Sequence, residues 1–159
     1  MDTRLLVLPM VLALVPAAAH GAEPTAAAVE FRNSFTSHYF ITADPAEIAG
    51  IEAGAAGPGW SRTRGQFGVF RAATDAPGLS PVCRFYGTPG VGPNSHFYTS
   101  DPAECAGVKS SPGWSYEGIA FHTVLPAFGN CAAAYYPVYR SYNNRFSPTA
   151  AQNDGNHRI

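Results

Sequence analysis

The sequence predicts a β-rich α+β fold, built as tandem β-β-α-β repeats in a propeller-like, pseudo-symmetric array. Two long segments read alike at a spacing of 54 to 58 residues, and a third begins near the C-terminus. Short runs of β-branched and aromatic residues end at Gly, Pro or Asn, the punctuation of strands rather than of long helices. Gly (16) and Pro (14) together fill roughly a fifth of the 159 residues, which sets a high density of turns. A period of this length marks an array of one supersecondary unit that cannot bury its apolar face alone, so the copies must pack on each other.

Each element follows from its residues. The first copy (29–80) opens with Val29-Glu30-Phe31-Arg32-Asn33, and the second (81–134) with Cys83-Arg84-Phe85-Tyr86-Gly87. Val82 to Tyr86, bounded by Pro81 and Gly87, reads as a strand. Thr88 to Asn94 is a turn-rich loop. A second strand follows at His38-Tyr39-Phe40-Ile41-Thr42 and at His96-Phe97-Tyr98-Thr99. Asp44-Pro45-Ala46-Glu47 and Asp101-Pro102-Ala103-Glu104 then open short helices. Asp is a preferred N-cap, Pro suits the first helical position, and Glu at the third can reach back to the cap amide. These carboxylates are therefore expected to cap helices. The second helix is expected to end at Pro112 or Gly113. Trp60 and Trp114 recur at the helix-to-strand turn and read as core, and Trp114 to Val124 supplies the last strand or two. A partial third copy (135–159) carries Pro137-Val138-Tyr139-Arg140-Ser141-Tyr142-Asn143 and reaches Asn156-His157. It stops where the others continue into their helix, which suggests a fragment or a truncated product. The three copies, 29–159, form one domain.

The N-terminus has a separate role. Met1 to Arg4 is a short charged region, Leu5 to Val15 an apolar run, and Pro16 to Ala22 a stretch rich in small residues. This is the layout of a signal peptide over residues 1–22, cut between 19 and 22. The run is too short for a bilayer span, which takes about 20 residues, and no other stretch is long enough. The expected location is extracellular or periplasmic. Ten Lys plus Arg against eleven Asp plus Glu leave a formal net charge of −1, without the clustered basic surface that nucleic acid requires.

As a set, the motifs (Arg/Glu)-Phe-Tyr-Asn, His-(Phe/Tyr)-(Phe/Tyr)-Thr, Asp-Pro-Ala-Glu, Gly-Trp and Glu-Gly-Ile-Ala-Phe resemble a repeat family of unknown function in secreted bacterial proteins. The resemblance runs from about Val29 to Ile159. Members of that family are often appended to extracellular hydrolases or stand alone behind a signal peptide, and it implies no activity and no catalytic residue. The sequence departs from it at Arg32, usually an aromatic, and at Phe40-Ile41, usually Phe-Tyr.

Three cysteines are present: Cys83, Cys105 and Cys131. Aligning the copies sets Cys83 on Val29 and Cys105 on Ile48, so an apolar pair in the first copy becomes a cysteine pair in the second. The expected disulfide is Cys83–Cys105, and the alternative pairing is Cys105–Cys131. Export permits either. No Cys-x-x-Cys or His-x-x-x-His spacing indicates a metal. His38, His96 and His157 start the second strand of each copy. Three such histidines could ring an axis and hold a metal, but each is expected instead to pack on an aromatic neighbour. No cofactor is implied.

No nucleophile elbow, zinc-protease motif or phosphate loop is present, and Glu104 and Glu117 are not tied by local spacing. Aromatics cluster in the second and third copies beside Arg84, Arg140 and several amides, a mixture that suits stacking and hydrogen bonding to sugars. Residues that do not repeat are the better binding candidates: Asn94, Tyr135, Tyr136, Asn143 and Asn144. The reading is a secreted, non-catalytic binding module for extracellular polysaccharide or cell wall. The alternatives are a small extracellular hydrolase with its site at the repeat junction and a structural accessory domain.

Overall fold

The computed structural model describes residues 21–140. Most of the segment expected to be a signal peptide, residues 1–20, and the C-terminal residues 141–159, with Asn143, Asn144 and His157, lie outside the described residues.

The fold is β-rich, with two three-stranded antiparallel sheets and two helices. Unit one holds β1 (Ala26–Asn33), β2 (Tyr39–Thr42), α1 (Pro45–Glu52) and β3 (Trp60–Val69). Unit two holds β4 (Ser80–Gly87), β5 (His96–Thr99), α2 (Pro102–Lys109) and β6 (Trp114–Thr123). Strand orders are β2-β1-β3 and β5-β4-β6, so the first strand of each unit lies in the middle of its sheet.

The helix starts follow the expected cap chemistry. Asp44 Oδ1 accepts from the Ala46 and Glu47 amides at 2.7 and 3.0 Å, and Asp101 Oδ1 from the Glu104 amide at 2.7 Å. The third-position glutamates do not fold back, contrary to expectation. The cap amides are already taken: Asp44 N–H donates to Thr42 Oγ1 at 3.0 Å and Asp101 N–H to Thr99 Oγ1 at 3.1 Å. Both glutamates turn outward to arginines instead. The second helix also stops earlier than expected, at Lys109 with Ser110 as its C-cap. The Ser110 amide turns back to Gly107 O and its hydroxyl donates to Ala106 O, closing the last turn before Pro112 is reached.

Each sheet packs its own helix. In unit one the cluster is Val29, Phe31 and Phe40, with Ile48, Ile51 and Trp60 against it. In unit two the same positions hold Cys83, Phe85 and Phe97, with Cys105, Val108 and Trp114. Both tryptophans therefore pack against core. Cys83 and Cys105 form the disulfide, with Cα atoms 6.1 Å apart, and Cys131 is a free thiol. A third cluster joins the units: Ala28, Ile41, Ala43, Val69, Val82, Tyr98 and Phe121. Backbone bonds between Phe70 and His122 in both directions, at 3.0 and 2.8 Å, tie the sheets beside it. Tyr98 reaches deepest across this seam. Its hydroxyl donates to Ile41 O at 2.7 Å and accepts from Ile41 N–H at 3.0 Å.

Candidate binding cleft at the unit junction

Strand alternation decides which side chains meet at the junction. Along β4, Cys83 and Phe85 face their own helix, so Val82, Arg84 and Tyr86 face unit one. On β6, Gly118 pairs with Arg84 and Tyr116 with Phe85. Glu117 is thus the extra residue of a β-bulge, the device by which a sheet re-aims a side chain. Gly118 carries φ +118°, a conformation that glycine adopts cheaply.

The bulge turns Glu117 onto Arg84, with Nε to Oε2 at 2.9 Å. From unit one, Glu47 on α1 takes the other side of the guanidinium. Arg84 Nη1 donates to Glu47 Oε2 at 2.9 Å and Nη2 to Oε1 at 2.7 Å. The Thr42 hydroxyl also donates to Glu47. The Arg84 guanidinium lies over the Phe40 ring, 5.1 Å from its centroid. The His96 imidazole sits between Phe40 and Tyr86, with ring centroids 4.7 and 4.9 Å away. Its Nε2 lies 3.5 Å from Glu117 Oε2.

The charges respond to this packing. The Arg84 hydrogen bonds hold the Glu47 carboxyl below its usual range, against the opposing effect of burial. Burial raises Glu117, with Arg84 working the other way. Burial, the largest single effect, disfavours the Arg84 charge, but the bonds to Glu47 together with the attraction of Tyr98, Glu47 and Glu117 outweigh it, and the guanidinium stays firmly protonated. Burial, with the Arg84 cation close by, pushes His96 down to about 3. The imidazole is therefore neutral near pH 7 and its contact with Glu117 is not an ion pair. One cation faces two carboxylates, so the centre carries a net negative charge.

These groups line a cleft of about 600 Å³ between the units. Its walls also include His38, Trp60, Tyr86, Asn94 and Ser95. Tyr86 donates its hydroxyl to Asn94 Oδ1 at 2.6 Å. A cleft of this size, with aromatic faces and a few converging polar groups, has the usual form of a small-ligand site.

Of the sequence candidates, Asn94 lines this cleft. Tyr135 lies elsewhere and donates its hydroxyl to Ala22 O at 2.7 Å. Tyr136 is exposed and does not line the cleft. Asn143 and Asn144 lie outside the described residues. Arg84, Glu47, Glu117, His96 and Phe40 fall outside the set of non-repeating residues, because most of them stand at recurring positions. A signal was present in the aligned copies. Position 84 is Arg in the second and third copies (Arg84, Arg140) and Glu30 in the first, a charge reversal on an otherwise shared pattern.

A family model described as Domain of unknown function (DUF5648) matches residues 27–156. No curated protein and no solved structure matches the chain.

Proposed function

The chain belongs to the DUF5648 family, a domain of unknown function, and from the junction cleft we propose that it is a secreted, non-catalytic binding module for an uncharged extracellular polysaccharide or cell-wall glycan. On this reading the units are tandem repeats of a propeller-like array, exported behind the signal peptide of residues 1–22. The disulfide agrees with export.

One observation carries the ligand class. The cleft sets the Trp60, Tyr86 and His96 rings beside Asn94, Ser95 and an Arg84 centre with excess negative charge. Aromatic faces suit the apolar face of a sugar ring, and carboxylate and amide oxygens accept from its hydroxyls. The same excess charge repels phosphate and other anions. A hydrolase is the second reading, supported by two carboxyls shifted in opposite directions in one cleft. Against it, Arg84 engages both Glu47 and Glu117, so neither is free to shuttle a proton.

The test is retention of the mature protein (residues 23–159) on peptidoglycan and a panel of neutral polysaccharides. Asn94→Ala and Glu117→Gln are expected to weaken saturable retention by about tenfold, and Tyr136→Ala to leave it unchanged. Retention that survives both cleft changes but is lost in Tyr136→Ala moves the binding face off the junction. Release of new reducing ends, abolished by Glu117→Gln, establishes the hydrolase. Absence of retention by the folded protein leaves the structural accessory role.

A further inference from the structure

Arg140 repeats the geometry of Arg84 one unit further along. Arg84 bonds Glu47, the third residue of α1, through both terminal nitrogens, and lies 5.1 Å over Phe40. Arg140 bonds Glu104, the third residue of α2, in the same two-pronged way, with Nη1 to Oε2 at 2.8 Å and Nη2 to Oε1 at 3.1 Å. It lies 4.7 Å over Phe97, the counterpart of Phe40. Its Nη1 also donates to Tyr98 O at 2.8 Å. The sequence agrees in register, since Pro81-Val82-Cys83-Arg84 aligns with Pro137-Val138-Tyr139-Arg140. In unit one the equivalent residue is Glu30, which is buried and accepts from Thr63 of its own sheet at 2.6 Å. The arginine thus stands only where a helix of the preceding unit offers a glutamate.

We infer that Arg140 is the docking key by which the chain from Pro137 onward seats on unit two, just as Arg84 seats unit two on unit one. The surface formed by Glu104, Phe97 and the Tyr98 carbonyl is the acceptor, and its occupant is the segment of the same chain that begins at Pro137. The fork fixes register because a planar guanidinium meets a carboxylate edge-on in one orientation. The ring beneath it adds attraction without requiring a strand to be paired. This inference does not depend on the glycan reading, since it concerns the opposite side of unit two from the cleft centre on Arg84.

Trypsin must draw an arginine side chain into its own pocket, so the clamp shields the Arg140–Ser141 bond. Glu104→Gln is expected to speed cleavage at that bond about fivefold or more, while Glu52→Gln, which breaks the exposed pair with Arg62, leaves it unchanged. The charge swap Arg140→Glu with Glu104→Arg provides a second readout. Hydrogen exchange over residues 135–140 is expected to rise in each single variant and to return toward the wild-type rate in the double. Equal cleavage in wild type and Glu104→Gln overturns the inference, and so does a double variant no better protected than the singles.

Discussion

Arg84 sits 13% exposed between two carboxylates, and each of its three neighbours comes from a different element. Removing it strands Glu47 and Glu117 together. Because Glu47 is about one-third exposed, the penalty is smaller than for a fully buried pair. Arg84→Ala is expected to cost about 2 kcal/mol, read from the denaturant midpoint. His96 gives the pH dependence. Its folded value of about 3 lies below the ordinary 6.5. Between those values the unfolded chain binds one more proton than the folded one, so stability falls as pH drops through that window, by at most about 1.4 kcal/mol per pH unit. Glu47, held below its ordinary value, adds to the loss on the acid side. Glu117, held above its own, works in the opposite direction: its contribution is present at low pH and lost as pH rises through its folded value. The His96 share is isolated by difference. A His96→Gln variant is expected to flatten the stability profile from pH 6.5 downward, and an unchanged slope would assign the acid sensitivity to the carboxylates.

At the scale of elements, the two units solve one packing problem in two ways. Val29 and Ile48 join β1 to α1 by apolar contact, whereas Cys83 and Cys105 join β4 to α2 covalently. The bridge spans a sequence separation of 22, and its chain-entropy contribution is about 3 kcal/mol. Cys83→Ala with Cys105→Ala is expected to lose roughly that amount plus a packing term. Cys83→Val with Cys105→Ile is expected to lose less, because unit one already packs that pair, and thermal unfolding of the two double variants compares them directly. The bulge in β6 is the other decisive element. Gly118→Ala forces a side chain into φ +118° and is expected to cost about 1 kcal/mol or more. It should also shift the Arg84–Glu117 contact, visible as a change in the Arg84 Nε resonance. The caps were legible because Asp-Pro-Ala-Glu is a local signal. The outward turn of the glutamates was not, since it depended on Thr42 and Thr99 occupying the cap amides first.

For the molecule as a whole, the seam between units matters most. Tyr98 is buried there and serves both backbone groups of Ile41. Tyr98→Phe leaves that N–H and carbonyl unpaired and is expected to cost about 1 to 3 kcal/mol, with loss of amide protection concentrated at Ile41 if the seam loosens locally. Phe40-Ile41 stands where the second unit has Phe97-Tyr98, and the seam gives the physical sense of the difference: the tyrosine of one unit reaches back onto the unit before. The sequence by itself determined the β-β-α-β order of each unit, the cap residues and the two tryptophans packed against core, and it favoured the Cys83–Cys105 pairing that the structure holds. All of these depend on local spacing or on comparing one copy with the next. Only the tertiary structure decided the cleft. Glu47, Arg84, His96 and Glu117 come from a helix, two strands and a bulge in two different units, and their charges become one site only when the sheets pack. That convergence leaves no spacing in the chain, because the force that creates it is burial between units rather than any interaction along the backbone.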